Sequence, residues 1–122
     1  MDCPMDYSFC KDRVTVYHYT KEGIVRTVYP HAYLQIQDKL MESSHGPELE
    51  RAFLLVIPGK ATLSPGDRVY LGEGPEMSMK RWGDFIPANT DLLCQIQYVQ
   101  PYFYMGSICH TEAGRNLSTL YQ

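Results

Sequence analysis

The stretch Ala52–Glu76, AFLLVIPGKATLSPGDRVYLGEGPE, constrains the fold more than any other, because short apolar runs alternate there with turns of explicit chemistry. Ala52 to Ile57 has the length and composition of a strand, and Arg68 to Leu71 is a second, shorter one. Between them Ser64-Pro65-Gly66-Asp67 sets proline, whose ring fixes φ, before glycine, which accepts the positive φ at the third position of a type II turn. The segment reads as strand, turn, strand, turn. It holds no phosphate-cradling loop, nucleophile elbow or ligand cluster, so its meaning is architectural.

The same style extends in both directions. Val14, Val16 and His18 alternate with Arg13, Thr15, Tyr17 and Tyr19, which is period two with β-branched and aromatic side chains. A turn at Lys21-Glu22-Gly23 leads into Ile24–Tyr29, IVRTVY, and the short spacing predicts an antiparallel hairpin. Pro30 has no amide hydrogen and is expected to interrupt the ladder, with an extended segment resuming over Tyr33–Gln37. Leu92–Val99 alternates again, one further strand is expected over Tyr102–Cys109 with a bend or bulge at Gly106, and Met77–Pro87, carrying Trp82, Phe85 and Ile86, is expected to cap the core. His110 to Gln122 has no clean period, although Leu117–Tyr121 has room for a turn of helix against a partner.

These segments predict an all-β fold: a small antiparallel β-barrel or sandwich of about six to eight strands, with one long acidic loop and little helix. At 122 residues the chain suits one domain, long enough to bury a core without disulfides or metal. The expected organisation is an N-terminal arm over residues 1–11, a single β domain over 12–109 and a tail over 110–122.

The long loop spans residues 38–50, DKLMESSHGPELE, where the apolar pattern breaks. Asp38, Glu42, Glu48 and Glu50 face only one base, Lys39, and Ser43 to Pro47, with His45 at the centre, is turn material. Two readings stand: a solvated hairpin tip, or a projection on a rigid β scaffold that carries contacts.

Charge and chemistry narrow the classes of function. The net charge of −3 is scattered and leaves no broad basic face for gripping nucleic acid through its phosphates. No apolar run approaches the roughly 20 residues that cross a bilayer, and the N-terminus lacks a signal peptide's basic and apolar regions, so a cytoplasmic protein is expected. Cys3, Cys10, Cys94 and Cys109 form no CxxC pair and are expected to be thiols there. The four histidines show no HxH or HExxH spacing for a metal. Cys109-His110-Thr111-Glu112 has the residue types of a nucleophile, a base and an acid, but neighbours on a strand point to opposite faces. Asp67 is explained by its turn. No catalytic residue, cofactor or metal is expected.

Ten tyrosines are the remaining signal, since tyrosine is rigid, amphipathic and enriched at interfaces. Tyr17, Tyr19 and Tyr29 line the first hairpin, and Tyr98, Tyr102, Phe103 and Tyr104 crowd around Pro101. They serve either as clamps on the edges of a small β core or as a subunit contact, with Tyr102, Phe103 and Tyr104 the candidates for the latter.

The order DRVTVYHY, IVRTVYP, FLLVIPGKATLSPGDRVYLGEGPE resembles the small minor capsid proteins of tailed phages that infect Gram-positive bacteria. The likeness covers residues 12–74, and the C-terminal half departs from it. Within phage assembly the family is similar to head-closure, or stopper, proteins of the virion neck. The resemblance implies a structural virion protein assembled in the host cytoplasm. Its subunits would form a homo-oligomeric connector ring of about twelve or about six copies between the portal-adaptor assembly and the tail. Double-stranded DNA would pass through that ring without sequence-specific binding, and the loop residues Asp38, Glu42, His45, Glu48 and Glu50 would face the lumen or the adjoining ring. A scattered acidic balance suits such a channel, because carboxylates repel phosphates. Two alternatives remain: a tail terminator or other minor virion component, and, from a different class, a small ligand-binding β-barrel with a pocket around Trp82, Tyr98 and His110.

Overall fold

The computed structural model describes residues 3–116, apart from the side chains at positions 41 and 43. Seven strands follow one another: β1 (Asp12–Thr20), β2 (Gly23–Ser43), β3 (Gly46–Pro58), β4 (Arg68–Leu71), β5 (Leu93–Gln95), β6 (Tyr98–Tyr104) and β7 (Ser107–Arg115). One helical turn, α1 (Met79–Trp82), lies between β4 and β5. All pairings are antiparallel, in the order β5-β4-β1-β2-β3-β7-β6. The all-β expectation holds.

The 21-residue β2 organises the sheet, because it is long enough to pair twice. Its first half meets β1, and its second half, from Tyr33 onward, meets β3. Pro30 does not end the strand as expected. Asp12 lies opposite Ala32 whereas Val14 lies opposite Tyr29, so β2 carries one extra residue beside Pro30 and His31. A bulge tolerates a residue without an amide hydrogen and bends the strand, which hands β2 from one half of the sheet to the other. The Asp12 carboxylate accepts the Leu34 amide at 3.0 Å just beyond the bend.

The sheet also rolls. Strands β5 and β6 lie at opposite edges, yet only Ile96 and Gln97 separate them. Three Cα steps reach roughly 11 Å at most, so the two edges must approach each other at this corner. The Ile96 amide donates to the Asp67 carbonyl at 2.8 Å, and the next amide, of Gln97, donates to the Gly114 carbonyl at 2.8 Å on the other edge. No β5–β6 ladder closes the roll.

Inside it, Val14, Val16, Ala32, Leu34, Phe53, Leu55, Ile57, Val69, Cys94, Ile96 and Ala113 form the main core. Outside, Tyr17, Phe85 and Leu93 form a second cluster with Trp82, Tyr70 and Met77 against them. β1 is therefore buried on both faces from Val14 to Tyr17. The Met77–Pro87 segment caps the sheet, as its aromatic content predicts. Arg68 fixes it there: the guanidinium lies 3.7 Å from the Trp82 ring centroid and donates to the Trp82 and Phe85 carbonyls at 2.6 Å each.

The turn at Ser64–Asp67 forms as its sequence dictates. The Asp67 amide donates to the Ser64 carbonyl at 3.0 Å, and Gly66 has φ +94°. The C-terminal half differs from expectation in three ways. The strand expected over Tyr102–Cys109 is the hairpin β6–β7, whose turn residues Met105 and Gly106 both have positive φ, as a tight primed turn requires. The expected tail from His110 is strand as far as Arg115, held between β3 and β6. Residues 117–121, read as a helical turn, lie outside the described residues.

Cysteine usage is also corrected. Cys3 and Cys109 form a disulfide, while Cys10 and Cys94 are buried thiols. The arm folds back across the sheet to meet β7, a contact between residues 106 positions apart that spacing rules cannot anticipate. No helix among the described residues is long and apolar enough to cross a membrane.

Candidate functional site

Residues 38–50, read as a loop, are almost wholly strand. β2 and β3 pair residue by residue from Tyr33 opposite Val56 to Ser43 opposite Gly46, leaving only Ser44 and His45 as the turn. The polar sequence hid this because a ladder exposed on both faces needs no apolar period; main-chain hydrogen bonds and directly opposed side-chain pairs hold it. β1 pairs with β2 no further than Ala32, and β7 pairs with β3 no further out than Phe53. Among the described residues the outer hairpin, Lys39–Leu49, thus extends past both neighbours.

Period two also divides the five residues expected to act together. Asp38 and Glu42 lie on one face, opposite Arg51 and Pro47, whereas Glu48 and Glu50 lie on the other. His45 is exposed in the turn. Asp38 is structural: the Arg51 guanidinium grips its carboxylate with Nε at 2.7 Å and Nη2 at 3.0 Å. Through Nη1 the same guanidinium donates to the Thr90 and Leu93 carbonyls, at 3.1 and 2.9 Å, and so roots the hairpin against β5. The Arg51 hydrogen bond holds the Asp38 carboxyl below the usual carboxylate range, against the opposing effect of burial. Glu50 is buried. Only Glu42, His45 and Glu48 of the five stand exposed toward the tip. On the face of Asp38 and Glu42, between those two, sits a pair that the acidic pattern concealed: Leu40, 72% exposed, directly opposite Leu49, 38% exposed.

A second exposed apolar feature is the β6–β7 tip. Phe103 is 63% exposed and Met105, which the tyrosine pattern did not flag, is 68% exposed. Tyr102 is partly engaged, stacked on His110 with centroids 4.6 Å apart. His110 Nδ1 in turn shares a hydrogen bond with the Tyr7 hydroxyl, 2.5 Å away, which fastens the arm. Burial lowers the His110 pKa, with Glu112 opposing. Tyr98 donates to Glu112 at 3.0 Å, and its pKa is pushed up to about 12, chiefly by burial. Trp82 packs with Phe85 and Tyr19 on the outer face. Of the trio, Tyr98 and His110 lie on the β6–β7 side and share Glu112 and Tyr102 as neighbours, whereas Trp82 packs with Phe85 and Tyr19 in the outer cluster.

The structure adds one arrangement not foreseen in the sequence. Asp67, with its side chain only 4% exposed, accepts the Ser64 amide at Oδ2, 2.9 Å away, and sits 2.6 Å from His18 Nδ1 through Oδ1. This pair stands at one end of the roll beside a cavity of about 300 Å³ between β1, β2 and the segment before β4. The available signal was register: His18 continues the face of Val14 and Val16, and a histidine on a core-facing row needs a partner. Among the described residues, no group of three or more His, Cys, Asp or Glu side chains is placed to hold a metal.

Comparison with protein-family models, with curated proteins and with solved structures gives no significant match.

Proposed function

We propose that the chain is a structural, ring-forming head-tail connector subunit of a tailed phage, a stopper-like protein of the virion neck, and not an enzyme. The observation that carries this reading is the outer hairpin Lys39–Leu49. It is a two-stranded extension of the core sheet that shows an apolar pair, Leu40 and Leu49, with Glu42 on the same face and His45 exposed in the turn beyond. Such a hairpin stabilises little of its own domain, and it supplies what a docking element needs: a fixed main chain and an apolar centre with a polar rim. The Phe103–Met105 tip is a second, different surface. Closed rings are built from unlike surfaces that meet head to tail, and the β6–β7 tip supplies one of them, leaving the outer hairpin for another layer.

In this reading the hairpin reaches the lumen or the adjoining ring, the β6–β7 tip meets the neighbouring copy, and the partners are the portal-adaptor and tail proteins around passing DNA. Imaging the neck of assembled particles tests it directly. A ring layer that fits this fold, with Leu40 and Leu49 covered by a neighbour or an adjoining layer, is the expected result. Density for the protein elsewhere, or with both hairpins free in solvent, overturns it.

A further inference from the structure

We propose that the Cys3–Cys109 disulfide is a redox-operated clasp: a dithiol reductant opens it, the arm over residues 3–11 leaves the body, and the sheet face that carries Tyr33 and His110 is uncovered. The position of Cys109 is the first support. Tyr102 lies opposite His110 whereas Phe103 lies opposite Ile108, so Cys109 is the extra residue of a bulge in β7. A bulge re-aims a side chain, and the residue so placed is the one that takes the arm.

Beyond the bridge, little holds the arm. Of residues 4–9 only Tyr7 is not exposed. Among the described residues, its one hydrogen bond to the body joins the Tyr7 hydroxyl to His110 Nδ1. Two ring contacts accompany it, Tyr7 on His110 and Phe9 on Tyr33, with centroids 5.4 Å apart in each. The Ser8 amide on the Asp6 carboxylate, the Cys10 amide on the Tyr7 carbonyl and the Lys11 amide on the Phe9 carbonyl are all internal to the arm and travel with it. Tyr33 and His110 share a sheet face, because Tyr33 pairs with Val56, Val56 pairs with Glu112, and Glu112 is two residues on from His110. The arm therefore spans from β2 to β7 across that face.

The body does not depend on the arm for its core. Neither apolar cluster contains any of residues 3–11, so the clasped and open states share one folded body. Cys3 is half-buried and Cys109 buried, which directs a reductant's thiolate to the Cys3 sulfur. That attack breaks the S–S bond, Cys109 leaves and takes a proton, and the second thiol of the reductant then displaces Cys3, which takes another. The dithiol ends as its own disulfide, having supplied two electrons and two protons. The clasp is closed in an oxidising compartment and open where thiols are kept reduced, and it does not depend on the connector reading.

The test compares the folded protein before and after dithiothreitol, by nuclear magnetic resonance and by alkylation of its thiols. On reduction the Tyr7 and Phe9 ring signals are expected to move to free-peptide positions, and amide exchange in the arm to rise about tenfold or more. The core methyl signals of Val14, Leu55 and Val69 are expected to stay in place, and alkylation to reach Cys3 and Cys109 while sparing the fully buried Cys94. Oxidised glutathione restores the first spectrum. Cys3→Ser, outside the core, shows the open spectrum without reductant and ignores dithiothreitol, and it keeps the test intact if Cys109→Ser fails to fold. The bridge joins residues 106 positions apart, so its loss also lowers the melting temperature through the unfolded chain, and the folded-state signals are the readout. Arm signals unchanged by reduction, core signals that move with them, or a clasp that does not close again overturns the proposal.

Discussion

The two ends of β2 share antiparallel main-chain pairing and differ in almost everything else. Near its start the strand pairs with β1, whose residues Val14 to Tyr17 are buried on both faces, by the main core inside and by the aromatic cap outside. Beyond the Pro30 bulge it runs out with β3 until Leu40 stands 72% exposed. Hydrogen bonding shapes both regions alike, but apolar burial ends near Ile36, where Leu34, Leu55 and Phe53 still belong to the core, and an exposed leucine such as Leu40 gains little from folding. Strand geometry kept where it adds no core is what the proposed docking role uses. The hairpin is held along its length by the β2–β3 ladder and anchored to the body at its root by Arg51.

This contrast can be broken at each level. Leu55→Ala, at a fully buried site in the main core, is expected to lower the unfolding free energy by about 2–5 kcal/mol in denaturant titration. A smaller loss would mean that the body is not the stable half. Arg51→Ala removes the root. The Thr90 and Leu93 carbonyls lose their donor and Asp38, itself 45% exposed, falls back on water, so a loss of about 2–3 kcal/mol is expected. Faster amide exchange along Lys39–Leu49 should accompany it, and unchanged exchange there would show that the hairpin is held in some other way.

Acid should act on the two regions in sequence. The folded His110 titrates below its ordinary 6.5, so between the two values the unfolded chain carries more protons than the folded one. Its contribution is complete above pH 6.5 and is lost as pH falls through the folded value. The Asp38 carboxyl is likewise held below its ordinary 3.8, and its contribution is lost only in stronger acid. Exchange measured against pH should therefore loosen the arm at Tyr7–Lys11 before the hairpin root, and the reverse order would contradict the assignment. The smallest effect on stability is expected from Leu40→Ser with Leu49→Ser, within about 0.5 kcal/mol by thermal melting, because both positions are exposed. A large loss would mean that this pair serves the fold and not a partner.

Much of the fold is legible where local rules act alone. Gly66 and Pro65 dictate their turn, and the β1 alternation marks its core face. The outer hairpin was missed because exposed strands carry no apolar period, so Glu42 and Glu48 look like loop residues. β7 was missed because Cys109, His110, Thr111 and Gly114 acquire their meaning from β3, β6 and the arm, which are distant in sequence. Gly114 illustrates this: a side chain there would collide with the Phe53 carbonyl and the Tyr98 hydroxyl, a restriction visible only once three strands are assembled. His18 and Asp67 are each explained locally, one by a strand and one by a turn, and only the rolled sheet brings them together.

The central claim is that the Lys39–Leu49 hairpin exists for contact. Amide exchange compared between the isolated protein and assembled particles tests it most directly. The account predicts that amides of this hairpin, exposed to exchange in the free protein, become protected on assembly, while the β1 and β4 amides are slow in both states. Hairpin exchange that is the same in both states, with new protection confined to other surfaces, would contradict it.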